Sequence, residues 1–375
     1  MSELSCPVVT AKICPHNNAN ALEIAQIFGF SCVVAKGQYR SGDMAVYIPE
    51  AAIVPDDVLD QIGLRGKLAG PDGNRVKAIK LRGALSQGLL YPAPDGLVTL
   101  PNGATRRFAL GDNVAEFLGI KKYEPEVPFG MAGELVSLGR ENLVAYDIEN
   151  IQRYPDVFKE GEPVFVTEKI HGTFCGIGIM PFERDELLHK RIAVFSKKAG
   201  AQGLAFKANE ANKNNLYLRM AQQSQVDRFL LEHFANSPVP VFVMGEIFGK
   251  GIQDLQYGLI APSFRVFDFA IESPNEIKYV RTLGPGLSGA ALSRTANANM
   301  NFPVPTVPLL YEGPFARDFI KTLVSGRETV SGGSHLREGV VIRPAEERYD
   351  PAIGRVILKW VSEEYLSRNN GTEYN

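Results

Sequence analysis

Several signals that would settle a protein's class are scarce here. The 375 residues include one tryptophan, four cysteines and five histidines, and the net charge is −2. Cys6, Cys14, Cys32 and Cys175 form no Cys-x-x-Cys pair and have no histidine at zinc-finger spacing, so neither a disulfide framework nor a structural zinc is expected. No apolar run approaches the roughly 20 residues of a membrane span. The segment Met1–Pro7 lacks the basic stretch and apolar core of a secretory signal, which predicts an intracellular, cytoplasmic protein, with the nucleus also open. A near-neutral balance gives no global nucleic-acid signature, so charge has to be read locally. His16, His189, His233 and His335 have no serine, cysteine or metal-ligand partner at usable spacing and read as structural.

What is present is length and alternation. At roughly 100 to 200 residues per domain, the chain is long enough for two cores. From Val8 to about Pro94 short β-rich runs (Cys32–Ala35, Met44–Ile48, Val76–Leu81, Gly88–Tyr91) are broken by turn residues, the spacing of a small five-stranded OB-type barrel. Ala19–Ile27 reads as an amphipathic helix interrupting it. The proline- and charge-rich stretch Ile120–Pro128 marks a boundary, which predicts a barrel over 1–120, a linker over 121–145 and a second domain over 146–375. In that second part strand-like runs alternate with a helical Leu216–Phe234, an α+β pattern, and Gly284–Pro308 reads as a long surface loop.

Five segments there carry candidate chemistry. Thr167-Glu168-Lys169-Ile170-His171-Gly172-Thr173 puts a lysine at the end of an apolar strand before a turn. An amine with a free pKa of about 10.4 is a poor nucleophile at neutral pH unless its surroundings favour the neutral form. Taken alone, the motif more often marks a surface lysine before a glycine turn. Gly172 would let backbone approach a ligand, and Glu168 is near enough to orient it. Phe242–Gly249 is a buried-type strand ending in Glu246. In Phe264-Arg265-Val266-Phe267-Asp268-Phe269, alternation sends Arg265, Phe267 and Phe269 to one face and Val266 and Asp268 to the other. An aromatic there can stack on a purine or simply pack in a core. Leu336–Arg343 and Arg355–Trp360 are apolar strands with charged ends, each needing a partner, a ligand or an exposed face.

In this order, over about residues 150 to 362, the five segments resemble the covalent nucleotidyltransferase superfamily of DNA ligases, RNA ligases and mRNA-capping enzymes. The motif Lys169-Ile170-His171-Gly172 is similar to that of the RNA ligase 2 branch. A barrel placed before, rather than after, the catalytic segments looks like RNA ligases with an N-terminal OB module, of the Deinococcus and Naegleria type. The resemblance implies an N-terminal OB-like β-barrel followed by an adenylyltransferase domain of antiparallel sheets with flanking helices. It implies an ATP-dependent RNA ligase of RNA repair, a monomer sealing 3′-OH/5′-phosphate nicks in duplexes whose 3′-OH strand is RNA, through lysyl-AMP on Lys169 and with Mg²⁺ or Mn²⁺. A capping-type guanylyltransferase, a DNA ligase or an inactive OB-containing binding protein shares parts of the pattern.

By the same resemblance, Glu338 is the metal-linked carboxylate, Glu246 belongs to the ribose or metal environment, and Lys359 contacts the α-phosphate. Phe267 stacks on adenine, with Asp268 supporting it from the other face. Lys197 or Lys198 contacts the ribose or the incoming strand, and Arg153 lies in the segment that closes on the nucleotide. Glu168, His171 and Gly172 border the nucleotide. The related enzymes' second lysine falls at Ile357, leaving Arg355 as its possible replacement. In the barrel, Lys36, Arg40, Lys77, Lys80 and Arg82 are candidate contacts to a nucleic-acid backbone, with a solvated face as the alternative.

Overall fold

The computed structural model describes residues 4–100, 102–273, 276–280 and 304–368. The loop expected over 284–308 therefore lies, as far as residue 303, outside the described residues. Among the described residues no helix is long and apolar enough to cross a membrane.

The N-terminal part is the expected OB-fold barrel. A meander of Lys12–Pro15, Leu22–Ile27 and Phe30–Ala35 is joined by a three-stranded sheet in which Met44–Ile48 lies between Val8–Thr10 and Leu89–Pro92. Period-two alternation on Met44–Ile48 feeds two cores: Ala45 and Tyr47 pack with Ala25, Ile27 and Cys32, whereas Val46 and Ile48 pack with Val58, Leu59 and Val114.

The helix expected over Ala19–Ile27 is instead a strand, Leu22–Ile27. Ala25 and Ile27 are buried while Gln26 between them is exposed, a period of two that so short a run cannot distinguish from a helical one. Phe28-Gly29 then closes a tight hairpin, with Phe28 at φ 54°.

The change of packing partner follows Tyr123, whose N–H still bonds Ala51 on the barrel side. Met131 already belongs to the second part's core, and Leu135–Ser137 pairs with Leu204–Phe206.

The second part is built on two five-stranded, mostly antiparallel sheets. The first runs Glu149–Asn150, Leu358–Val361, Gly339–Pro344, Pro163–Lys169, Leu309–Pro314; only its edge pair 149–150/358–359 is parallel. The second runs Ile192–Ser196, Thr173–Ile179, Val241–Gly249, Pro262–Ser273, Glu276–Val280. Alternation sorts the first sheet's side chains: Val164, Val166, Val340, Ile342, Leu358 and Trp360 go to an outer core with the helix Arg317–Val324. Val341 and Ile357 go inward, onto Phe174, Phe242 and Met244 of the second sheet. Helices Leu216–Gln223 and Val226–Phe234 cover the second sheet's far face; they are two rather than the single helical stretch expected, because Gln225 takes a left-handed φ of 60°. The chain crosses from one sheet to the other between Lys169 and Thr173.

Candidate active site

Strand register builds the site. Lys169 ends its strand opposite Gly339, so Glu338 is the next residue along the neighbouring strand. The Lys169 Nζ lies 2.7 Å from Glu338 Oε1, while Glu338 Oε2 is buried with no hydrogen-bond partner. Lys359 pairs with Val341 one strand further over and faces the same inter-sheet gap. Glu246 enters from the second sheet, opposite Phe174.

Electrostatics mark these groups as strained in charge. Burial pushes the Glu246 carboxyl up to about 8, with Lys169 pulling it down and Glu338 pushing it further up. Burial likewise brings the Lys359 ammonium down to about 8, helped by the positive charges of Lys197 and Lys169. Lys359 makes no side-chain ion pair among the described residues. Lys197 is held by Asp147 at 2.8 Å.

All of these border one cavity of about 410 Å³ between the sheets. At one end Tyr146, Phe174 and Phe267 form an aromatic cluster, with centroid separations of 5.1 Å (Tyr146–Phe267), 5.7 Å (Tyr146–Phe174) and 6.0 Å (Phe174–Phe267). On another side the barrel supplies Phe30, Tyr47 and Gln87. The barrel is fastened there by Gly29, which exchanges hydrogen bonds with Gln152, next to Arg153; a Cβ on Gly29 would meet Gln152 O at 2.8 Å.

Phe267 borders the cavity because of a β-bulge. The register with Val241–Gly249 shifts between Met244 and Gly245, so Phe264, Val266 and Phe269 pack under the helices while Phe267 and Ala270 turn to the inter-sheet side. The expected sharing of one face by Phe267 and Phe269 is thereby broken. Asp268 lies outside the cavity lining, and its carboxylate takes Arg343 at 3.2 Å, Arg355 at 2.7 Å and the Tyr146 hydroxyl at 2.6 Å. Burial alone would raise its carboxyl, but the two guanidiniums outweigh that and hold it below its ordinary value.

Of the residues singled out in the sequence, Lys169, Lys359, Glu338 and Glu246 converge on this cavity, and so do Glu168, His171 and Gly172. Phe267, Lys197 and Arg153 complete the set. Between the two adjacent lysines, Lys197 faces the cavity and Lys198 turns out to an ion pair with Glu124. Arg355 does not replace the lysine absent at Ile357: its guanidinium is divided between Asp268 and Glu347 and stacks 3.5 Å from the Tyr279 ring. The close approach that Gly172 permits is to protein, since a Cβ there would lie 2.1 Å from Ile247 O. Glu168 Oε2 accepts from the Thr329 N–H and hydroxyl at 2.8 and 2.6 Å, leaving Oε1 buried and unpartnered. Lys36, Arg40, Lys80 and Arg82 are exposed on the barrel and Lys77 is half-buried; none borders the cavity.

Tyr146, Asp147, Arg343, Asp254 and Tyr365 were not identified from sequence as parts of the site. Arg343 stood in a flagged segment; the others meet it through partners up to 194 positions away, for which single-sequence spacing carries no signal.

The RNA ligase family profile matches residues 162–361, and an OB-fold domain profile matches residues 8–93. A search of the curated proteins returns no match. Among solved structures, Naegleria gruberi RNA ligase with PPi is 24% identical, at a TM-score of 0.71, covering 98% of this chain and 98% of that one. A lysine-to-alanine mutant of that enzyme with ATP and Mn is 24% identical, covering 96% and 97% at a TM-score of 0.71. A glutamate-to-alanine mutant with AMP and Mn is 23% identical, covering 97% and 98% at 0.71. At that identity the likeness establishes the shared fold, while the profile over residues 162–361 spans more than half of the sequence. The chain belongs to the RNA ligase family.

Proposed function

We propose that this RNA ligase family member is ATP-dependent and works through a covalent lysyl-AMP on Lys169. The observation carrying the reading is the 2.7 Å contact of Lys169 with Glu338 at a cavity that also holds Lys359, Lys197 and an aromatic cluster. The Lys169 nitrogen, as the free amine, attacks the α-phosphorus of ATP; an N–P bond forms, the bond to the bridging oxygen breaks, and pyrophosphate leaves. AMP then passes to a 5′-phosphate, and the adjoining 3′-OH displaces it to seal the strand. All three steps are phosphoryl transfers, in which positioning and charge neutralisation do most of the catalysis. Lys359 lies against the α-phosphate as a fixed positive charge. Phe267, flanked by Tyr146 and Phe174, stacks on the adenine. Lys197 serves the ribose or the incoming strand, and Arg153 closes over the nucleotide.

A divalent cation, Mg²⁺ or Mn²⁺, fits this donor set. Glu338 has a buried oxygen with no protein partner, and Glu246 is a second carboxylate whose ionised form is disfavoured until a cation arrives. When bound, the ion supplies positive charge to the polyphosphate. The Naegleria gruberi structures holding ATP or AMP with Mn support this assignment.

The substrate in this reading is a nicked duplex whose 3′-OH strand is RNA, tracked by Lys36, Arg40, Lys77, Lys80 and Arg82 of a barrel over 1–120, linked through 121–145 to a catalytic unit over 146–375. The pairing of Lys121–Lys122 with Ala52–Ile53 carries the barrel's strand contacts slightly past the first of these bounds. Incubation with α-labelled ATP and magnesium tests the core of the proposal: the chain takes up label and Lys169→Ala does not. Label from GTP alone would instead favour guanylyl transfer, and label from neither would leave a binding protein.

A further inference from the structure

Two residues beyond Lys169, the ring of His171 is 3% exposed and has both nitrogens engaged. Nε2 lies 2.9 Å from Asp254 Oδ1, and Nδ1 lies 2.7 Å from the Tyr365 hydroxyl. Asp254 is gripped by Arg368, whose Nε reaches Oδ2 at 2.8 Å and whose Nη2 reaches Oδ1 at 3.1 Å; the same guanidinium lies 3.6 Å from the centre of the Tyr365 ring. The His171 N–H donates to the Tyr257 hydroxyl at 2.7 Å, and Gln253 donates to the Gly172 carbonyl. The turn between the two sheets is thus held by two other segments, the loop 253–257 and the helix Glu363–Leu366 with the residues after it.

The chemistry of the chain of contacts has one polarity. A carboxylate paired with a guanidinium only accepts, so Asp254 requires the proton on Nε2; Nδ1 of a neutral ring then accepts, and the Tyr365 hydroxyl donates. Both ring nitrogens are thereby matched, with Asp254 Oδ1 accepting from His171 and from Arg368, and the imidazole plane is fixed. An untethered turn would leave Lys169 on a strand end followed by three residues with freedom to pivot, whereas nucleophilic attack needs the nitrogen placed within a few tenths of an ångström.

We infer that Asp254, Tyr365 and Arg368 are positioning residues for nucleotidyl transfer, orienting the Lys169 turn through His171. The inference rests on the covalent-lysine reading above. Its test is single-turnover labelling of Lys169 from α-labelled ATP, across ATP concentrations, in the full chain and in Tyr365→Phe, Asp254→Asn and Arg368→Ala. Each variant is expected to lose about 10- to 100-fold in maximal rate, with the apparent ATP KM moved less than about twofold. Asp254→Glu should recover part of the loss. Because Asp254→Asn and Arg368→Ala could weaken the fold, each is melted alongside; Tyr365→Phe removes one oxygen and keeps the ring. In parallel, ¹⁵N spectra of the five histidines should show an Nε2-protonated ring that is absent in His171→Asn and shifted in Asp254→Asn, apart from the signal of His16, whose Nε2 faces the Leu81 carbonyl. A parent that labels normally while Tyr365→Phe and a folded Asp254→Asn keep its maximal rate would overturn this inference alone. A parent that takes no label would overturn it together with the reading beneath it.

Discussion

Lys169 and Glu338 touch at 2.7 Å although 169 positions separate them, because the last residue of one strand is registered on the first residue of its neighbour. The contact gives the amine a counter-ion and leaves Glu338 Oε2 without a protein partner, so the pair is built to be rearranged when a nucleotide and its cation enter.

Glu338→Gln keeps the shape and removes the charge. Lysyl-AMP formation should fall about 10²- to 10³-fold, the usual cost of deleting one charge-stabilising group in an active site. Rapid-quench labelling at saturating ATP measures it, with the melting temperature expected to change little.

Opposed titrations should give lysyl-AMP formation a narrow pH optimum. Glu246 must be ionised to meet a cation, and its carboxyl sits at about 8, so activity rises with pH up to that value. Lys359 must be charged to hold phosphate, and it too sits at about 8, so activity declines above it. In kcat/KM profiles for ATP, Lys359→Arg should extend the alkaline side, because a guanidinium stays protonated there. Stability follows the opposite preference. The raised Glu246 pKa means the fold favours the protonated acid, a contribution fully present below about 4.5 and lost as pH rises through about 8. Glu246→Gln should therefore become progressively more stable than the parent between those values, while losing activity.

Phe267→Ala should weaken ATP binding by roughly 1 to 3 kcal/mol, the range for one base–aromatic stack. Equilibrium titration with the non-labelling Lys169→Ala background separates this binding effect from chemistry. Phe267→Tyr should retain most of the affinity.

Asp268→Asn leaves Arg343 and Arg355 buried without their shared counter-charge and should cost about 3 to 5 kcal/mol in denaturant unfolding. With the Asp268 carboxyl held below its ordinary 3.8, its stabilisation is present above that pH and lost as pH falls below it. The difference between parent and variant should therefore shrink in acid.

Replacing exposed Lys36, Arg40, Lys80 and Arg82 of the barrel together by serine should reduce sealing of a nicked duplex and flatten its salt dependence. Lysyl-AMP formation should be unchanged, since none of the four borders the cavity. Sealing with RNA or DNA on each side of the nick, in the same assay, tests the strand preference.

Much of the site was legible because it is written in period-two alternation along strands. Val341 and Lys359 each follow an apolar residue that goes to the outer core, and Lys169 alternates in the same way with Val164 and Val166, which also go there, so their inward direction can be read locally. The alternation failed at Phe267–Phe269, where one bulged residue re-aims the strand, and at Leu22–Ile27, where six residues fit either period. Lys197 and Lys198 could not be told apart because a helix begins there, and only the placement of Asp147 and Glu124 separates them. The contacts of Asp254, Tyr365 and Arg368 were not legible for a different reason: they reach His171, directly or through Asp254, from far along the chain, and nothing in their own sequence neighbourhoods marks it.

The most direct test of the account is peptide mass spectrometry of the chain after exposure to ATP and magnesium. The account predicts an AMP adduct on the peptide containing Lys169, lost under pyrophosphate and absent from Lys169→Ala. An unmodified Lys169, or an adduct on another lysine that survives Lys169→Ala, would contradict it.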